Sequence, residues 1–335
     1  MVRGAEAQGR CKMTFMNQTV LDLKLSTKKT RKREFLAQMQ AVVPWDELVA
    51  LIAPYYPEGR KGRPPFSLQT MLRVHFMQQW FTLSDPAMEE AFFDTPLYRE
   101  FAQLEEFGRM PDESTILRFR HRLEKHKLAE KILATVNDLL TQQGLLLKAG
   151  TAVDATIIAA PSSTKNKGGL RDPEMHSTQK GNQWHMTAGH PDGWRMKAHI
   201  GVDSESGLVH TVRGTAAHVN DVTEGNSLLH GQETQGFGDA GYQGIDKRPD
   251  AKPSVTWHVA MRPGKRRALD LNDPLQALSD KIERAKASIR AKVEHPFRVI
   301  KRQFGHIKTR YRGLMKNTQQ LHTLFALSNL PPLSG

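Results

Sequence analysis

Three acidic residues stand in surroundings that acids usually avoid. Asp154 lies in the middle of Thr151-Ala152-Val153-Asp154-Ala155-Thr156-Ile157-Ile158-Ala159, a β-branched and mostly apolar run. An ionised carboxylate is costly to bury there unless it is paired or binds a cation. Asp239 sits in Gly238-Asp239-Ala240-Gly241-Tyr242-Gln243-Gly244, where glycine lets the backbone turn tightly and bring the carboxylate against another element. Glu294 lies on a long helical stretch, with Arg290 four residues before it and Lys301 seven after, so the three side chains point roughly the same way. Each acid alone reads as an ordinary salt-bridge or solvated residue. Together, three separated carboxylates with cations beside the last describe a phosphoryl-transfer site. Hard oxygen ligands suit Mg²⁺, with Mn²⁺ as a substitute, and two such ions about 4 Å apart clamp the attacking and leaving oxygens of an in-line displacement. Arg290 and Lys301 would grip phosphates beside them.

The rest of the composition points to a polyanionic partner. Lys and Arg number 48 against 35 Asp and Glu, a net charge of +13 over 335 residues, most simply matched by nucleic acid. A single cysteine, Cys11, excludes an internal disulfide framework and fits a reducing compartment. No apolar run approaches the ~18 residues needed to span a bilayer, and no secretory signal is apparent. A bacterial cytoplasm and a nucleus are both compatible with these features.

The elements that must position these residues fall into two textures. Residues 1–33 read as a basic flexible tail ending in Lys28, Lys29, Arg31, Lys32 and Arg33. Residues 34–148 read as a helical DNA-binding domain. Its first helix is expected over about 34–53, with Phe35, Leu36, Met39, Val42 and Val43 in the core. Gly59-Arg60-Lys61-Gly62-Arg63-Pro64-Pro65 breaks the pattern and offers Arg60, Lys61 and Arg63 to phosphates. Ser67 caps a further helix, Ser84-Asp85-Pro86 starts another with Asp85 as its cap, and Pro111-Asp112-Glu113 opens one running to about Lys127. On that last helix Ile116, Phe119 and Leu123 share a face, while Arg118, His121, Arg122 and Lys125 lie opposite. A positive stripe on a helix that starts after a short turn suits a helix-turn-helix reader of the major groove.

From Gly150 the texture is α/β. The strand around Asp154 is followed by strands over 196–202 and 208–214, with a turn at 203–207. A helix near 219–229 capped by Asn220 or Asp221, a strand over 255–261 and a helix over about 274–305 complete an α/β domain with a mixed sheet, 149–330.

These residues together resemble the insertion-sequence-five family of bacterial DDE transposases, and the resemblance covers most of the chain. It is carried by Gly62-Arg63-Pro64-Pro65, Leu83-Ser84-Asp85, Val153-Asp154-Ala155-Thr156, Ala160-Pro161-Ser162-Ser163, Lys197-Ala198-His199-Ile200-Gly201, Asp239-Ala240-Gly241-Tyr242-Gln243-Gly244 and Val293-Glu294-His295-Pro296-Phe297-Arg298. The resemblance implies an RNase H-like catalytic domain behind a helical N-terminal domain, with the three acids falling on Asp154, Asp239 and Glu294. Arg290 and Lys301 match the family's Tyr-Arg-Glu-Lys spacing, whose tyrosine position holds Ala287 here. The chain departs from the family in an inserted segment, residues 186–195, and in a polar, glycine-rich approach to Asp239 over residues 232–238. Pro296 is expected to kink or restart the last helix.

The implied reaction is cleavage at the ends of a mobile element, freeing a 3′-hydroxyl that attacks target DNA. Tyr242 would pack beside the scissile strand. Partners would be the element's terminal inverted repeats, target DNA and a second subunit in the synaptic complex. Two rivals stand beside this reading. A DNA-binding protein descended from such an enzyme, impaired in chemistry, would keep the same charge. A tyrosine recombinase or topoisomerase would use Tyr311 near His306 and Arg310, but the spacing is His-x-x-x-Arg and no second arginine motif stands out. Fourteen histidines include no zinc-enzyme spacing.

Overall fold

The computed structural model describes residues 29–59, 63–105, 108–146, 149–160, 179–180, 183–184 and 195–330. Residues 1–28, the cations Arg60 and Lys61, and most of the inserted segment 186–195 lie outside the described residues.

Seven helices come first: α1 (Arg31–Val42), α2 (Trp45–Ile52), α3 (Leu68–Trp80), α4 (Asp85–Asp94), α5 (Pro96–Ala102), α6 (Glu113–Lys125) and α7 (Leu128–Gln142). The single helix expected over 34–53 is two helices, because Pro44 has no N–H to continue the first. The basic cluster is not all tail. Arg31 to Arg33 open α1, the Lys32 ammonium lies over the Phe81 and Tyr98 rings, and Arg33 pairs with Glu100 at 2.9 Å. Side-chain caps explain the later starts. Ser67 accepts the Thr70 N–H, and Asp112 accepts the Thr115 N–H at 2.6 Å. Ser84, rather than Asp85, caps α4 by accepting the Ala87 N–H. Asp85 instead meets the buried Arg120 guanidinium at 2.9 Å.

The expected short turn before α6 is not there. Residues 103–112 separate it from α5, whereas a helix-turn-helix uses about three to four residues. The apolar face of α6, Ile116, Phe119 and Leu123, is buried as its periodicity requires.

A five-stranded sheet follows, in the order β5-β4-β1-β6-β7. Its strands are β1 (Gly150–Ala159), β4 (Arg195–Asp203), β5 (Val209–Ala216), β6 (Gln235–Gly238) and β7 (Thr256–Val259); β2 (Gln179–Lys180) and β3 (Gln183–Trp184) pair only with each other. β4 runs antiparallel to β1 and β5 to β4, whereas β6 runs parallel to β1 and β7 to β6. The turn expected at 203–207 closes the β4–β5 hairpin, with Asp203 accepting the Ser206 N–H. The helix expected at 219–229 shrinks to α8 (Asp221–Glu224) and a 3₁₀ turn; Asn220 takes the N-cap position as expected, though without a side-chain cap hydrogen bond.

After β7 come a short helix, α9 (Pro263–Arg267), then α10 (Pro274–Arg298) and α11 (Leu314–Asn329). Helix α10 runs through Pro296 without interruption, so the expected restart does not occur. The irregularity falls just beyond it, as one π-helical turn over Val299–Gln303.

The apolar core does not stop at the boundary expected near 148. One continuous cluster includes Leu36, Phe76 and Val136 of the N-terminal helices, Ala152 and Ile200 of the sheet, and Phe297 and Phe325 of the last helices. Polar contacts cross the same seam: Asn329 Nδ2 on α11 donates to Asn137 Oδ1 on α7 at 2.8 Å and to the Val209 carbonyl on β5 at 2.7 Å. A second, smaller cluster of Val153, Leu228, Tyr242 and Ile245 fills the other side of β1. Among the described residues no single helix is long and apolar enough to cross a membrane.

Candidate functional site

The parallel pairing of β6 with β1 sets where two of the acids lie. Gly150, Thr151 and Ala152 face Gln235, Gly236 and Phe237. The pairing stops at Ala152–Phe237 and β6 ends at Gly238, so Asp154 and Asp239 each follow the last paired residue of their strands by two positions. The short approach strand is glycine-rich for packing reasons. A Cβ on Gly236 would stand 2.7 Å from the Trp257 ring, and one on Gly238 would stand 2.9 Å from the Tyr242 Cβ. Asp239 then leaves the sheet in a turn in which its Oδ1 accepts the Gly241 N–H at 2.9 Å, and its other carboxylate oxygen makes no bond among the described residues. Asp154 Oδ1 accepts the Ala155 N–H at 2.7 Å.

Helix α10 brings the third acid. Three polar ties hold it against the ends of the parallel strands. The Met261 N–H donates to Glu283 at 2.8 Å, Lys286 Nζ donates to the Val259 carbonyl at 3.1 Å, and Lys301 Nζ donates to Thr156 Oγ1 and the Ile157 carbonyl at 2.5 and 3.0 Å. Thr156 shares a sheet face with Asp154, two residues back. Glu294 lies nearly two turns before Lys301, hence on about the same side of the helix. Its carboxylate is exposed, with no hydrogen bond or ion pair among the described residues. Arg290, one turn earlier, is half-buried.

Tyr242 reports on how these groups gather. Its hydroxyl is pushed well above the usual phenol range, first by burial, then by the negative charges of Asp154, Asp221 and Asp239, against an opposing effect of Arg290. Asp154, Asp221 and Asp239 thus lie within electrostatic reach of one buried ring, whereas Glu294 has no such influence on it, and among the described residues Asp154, Asp239 and Glu294 do not bring three carboxylate oxygens within ligand distance of one another. One expectation changes at this point. Tyr242 is fully buried in the small cluster beside Val153 and cannot lie against a DNA strand. Lys301 donates to β1 at two acceptors, so it also ties the turn after α10 to the sheet.

The basic face of α6 has a matching cavity. Arg118, His121 and Lys125 are exposed and Arg122 is half-buried. Arg63, Arg109, Arg118 and Arg122 line a 360 Å³ cleft with Tyr56 and Phe66. Arg109 stacks over Phe66 at 3.7 Å and donates to the Pro64 carbonyl at 3.0 Å. Tyr311, the nucleophile of the recombinase reading, is packed under the Arg120 guanidinium at 4.1 Å and its hydroxyl is pushed upward, chiefly by burial. It is a half-buried packing partner of Arg120.

Sequence reasoning missed two members of this arrangement. Asp221 reads as a helix cap, yet it pairs with Lys197 at 2.9 Å and its charge reaches Tyr242. Arg109 lies in an unpatterned loop, and nothing in the sequence marks it.

With this geometry in place, two family matches identify the chain. Residues 146–330 match the family described as Transposase DDE domain, and residues 24–122 match Transposase domain (DUF772). The first match spans more than half of the chain, and the protein belongs to the DDE-domain transposases, enzymes of DNA transposition and recombination. No solved structure matches the chain.

Proposed function

We propose that this transposase is of the insertion-sequence-five type and that Asp154, Asp239 and Glu294 are its catalytic acids, on an RNase H-like sheet. The observation that supports the reading is the parallel β1–β6 pairing, which runs to Ala152–Phe237 and leaves Asp154 and Asp239 each two residues further on, inside the stretch matched to the DDE domain. The strand order, three antiparallel strands followed by two parallel to the first, supports the RNase H-like assignment.

The donor set fits a hard divalent cation. All three side chains offer carboxylate oxygens, and among the described residues those of Glu294 and one of Asp239 make no protein contact. Two Mg²⁺ ions held by these acids would supply Lewis-acid polarisation of the scissile phosphate and charge stabilisation of the leaving oxygen. Arg290, beside the acids, orients a DNA phosphate. Water adds to phosphorus at the element end, the P–O3′ bond breaks, and a proton from the water passes to the departing oxygen, giving a 3′-hydroxyl and a 5′-phosphate; that hydroxyl then bonds to a phosphorus of target DNA, its proton passing to the displaced target 3′-oxygen. Arg63, Arg118, His121, Arg122 and Lys125 hold the terminal repeat through its backbone, with affinity that falls as salt rises. Arg60 and Lys61, next to Arg63 in the sequence and outside the described residues, are proposed to add further phosphate contacts. Two subunits pair two element ends in the nucleoid of a bacterial cell.

Asp154→Asn tests the assignment. Strand cleavage of an element-end duplex in Mg²⁺ should fall at least ~1,000-fold, a cost of about 4 kcal/mol, while duplex binding changes less than about threefold. A variant that still cuts at the wild-type rate removes Asp154 from the chemistry.

A further inference from the structure

Outside the acidic site, one cluster of side chains has the donors for a different ion. His210 on β5 and His230 and Glu233 in the loop before β6 place three ligand-type atoms within 4.8 Å of one another. No local motif announces them, because a hairpin and a loop twenty residues downstream supply the pieces.

The cluster is built rather than incidental. Glu233 is buried, and its carboxylate accepts the backbone N–H of His230, the Gly231 N–H at 2.6 Å and the Thr151 hydroxyl at 2.9 Å. Those donors hold the carboxyl below its usual range although burial, the largest single influence, opposes them. Oε2 accepts the Gly231 N–H, and Glu233's own N–H also bonds the carboxylate. His230 Nε2 stands 3.3 Å from Glu233 Oε1, about the separation of two ligands each ~2.0 Å from a tetrahedral zinc ion. The His210 ring is oriented from behind, its Nδ1 lying 2.9 Å from Thr211 Oγ1 while Nε2 faces Thr151 Oγ1 at 3.0 Å. A hydrogen-bonded outer partner of this kind fixes the ring of a ligating histidine.

We propose that His210, His230 and Glu233 bind one Zn²⁺ ion, which staples edge strand β5 to the loop that feeds β6. Imidazole and carboxylate together suit zinc, whereas Mg²⁺ prefers oxygen alone. Ligation through His230 Nε2 leaves that ring's proton on Nδ1, so the 3.3 Å contact from the Gln232 N–H is given up. Gly231, at φ +104°, gives the loop the freedom to adjust. Thr151 and Asp154 are three residues apart on β1, so the zinc site lies on the sheet face opposite the catalytic aspartate. It stands independently of the catalytic reading.

The test is zinc titration of the metal-stripped full chain by calorimetry, in excess Mg²⁺, with metal content checked after dialysis. One equivalent of zinc per chain is expected in the wild type and in Asp154→Asn. His210→Ala should weaken binding by more than ~100-fold, and Thr211→Val, which leaves all three ligands in place, by roughly 10- to 100-fold. Circular dichroism confirms that each variant is folded; should His210→Ala not fold, Thr211→Val decides alone. A wild type that takes up no stoichiometric zinc, or variants that bind it as tightly as the wild type, would overturn the proposal.

Discussion

Tyr242 carries its hydroxyl into a site where that group finds no hydrogen-bond partner among the described residues. An unsatisfied buried hydroxyl costs about 1–3 kcal/mol, so Tyr242→Phe should leave stability unchanged or raise it. Because the ring supports Gly238 and Val153 from behind, the same variant should keep cleavage within about threefold of wild type, a change under ~1 kcal/mol. Thermal unfolding and a cleavage time course check both; a loss of activity with stability intact would return the hydroxyl to the reaction. The reason this role was illegible in the sequence is physical. An aromatic three residues after an exposed acid reads as part of the acid's working surface, and only the chain's turn at Asp239 sends it inward. Asp154 was legible for the opposite reason: a lone charge in a β-branched run has few explanations other than a partner or an ion.

At the scale of elements, the approach to Asp239 was the hardest to read. Residues 232–238 offer few β-forming side chains, and the sequence alone suggests a strand too weak to hold its acid. The structure forms β6 there, because Gly236 and Gly238 admit the Trp257 and Tyr242 rings against the backbone. Glycine weakens a strand in isolation and marks close approach in a packed one. Gly236→Ala puts a methyl 2.7 Å from the half-buried Trp257 ring, so ring or strand must shift and the fold should be destabilised by about 1–3 kcal/mol. A displacement of β6 by an ångström at Asp239 should also reduce cleavage by roughly 100-fold. Denaturant melts and single-turnover cleavage give the two numbers; wild-type values for both would mean that β6 does not set the acid's position. Helix α6 shows what periodicity reads well and what it does not. Its buried and basic faces follow from spacing alone, while the long loop before it and Arg109 within that loop follow from tertiary packing.

At the scale of the molecule, the change of texture near residue 148 suggested two domains, and composition does change there. Packing does not respect it, because α11 returns from the end of the chain to lie between α7 and β5. A sequence read in order cannot show that its last helix closes a core begun by its first. Burial on this scale also traps titratable groups. His75, His199, His306 and His322 each have their pKa lowered to about 4, chiefly by desolvation, with nearby cations adding to it at His75 and His306 and Asp221 and Glu130 opposing it at His199 and His322. In the unfolded chain the value returns to ~6.5, so between about pH 4 and 6.5 the unfolded state binds more protons. Stability is therefore full above that window and falls as pH drops through it, by up to roughly 2 kcal/mol per histidine between pH 7 and 5. Thermal melts at fixed ionic strength should show a steep fall in Tm over that range, and a flat profile would mean that these rings are not buried neutral.

The central claim is that three acids from β1, the end of β6 and α10 serve one pair of hard cations. Mn²⁺ binding to the chain with an element-end duplex, followed by electron paramagnetic resonance, tests it most directly. The wild type should bind two Mn²⁺ ions with spin coupling between them. Asp154→Asn, Asp239→Asn and Glu294→Gln should each lose the coupled signal while still binding the duplex. If any one of the three retained it unchanged, that side chain would stand outside the site and the proposed chemistry would not hold.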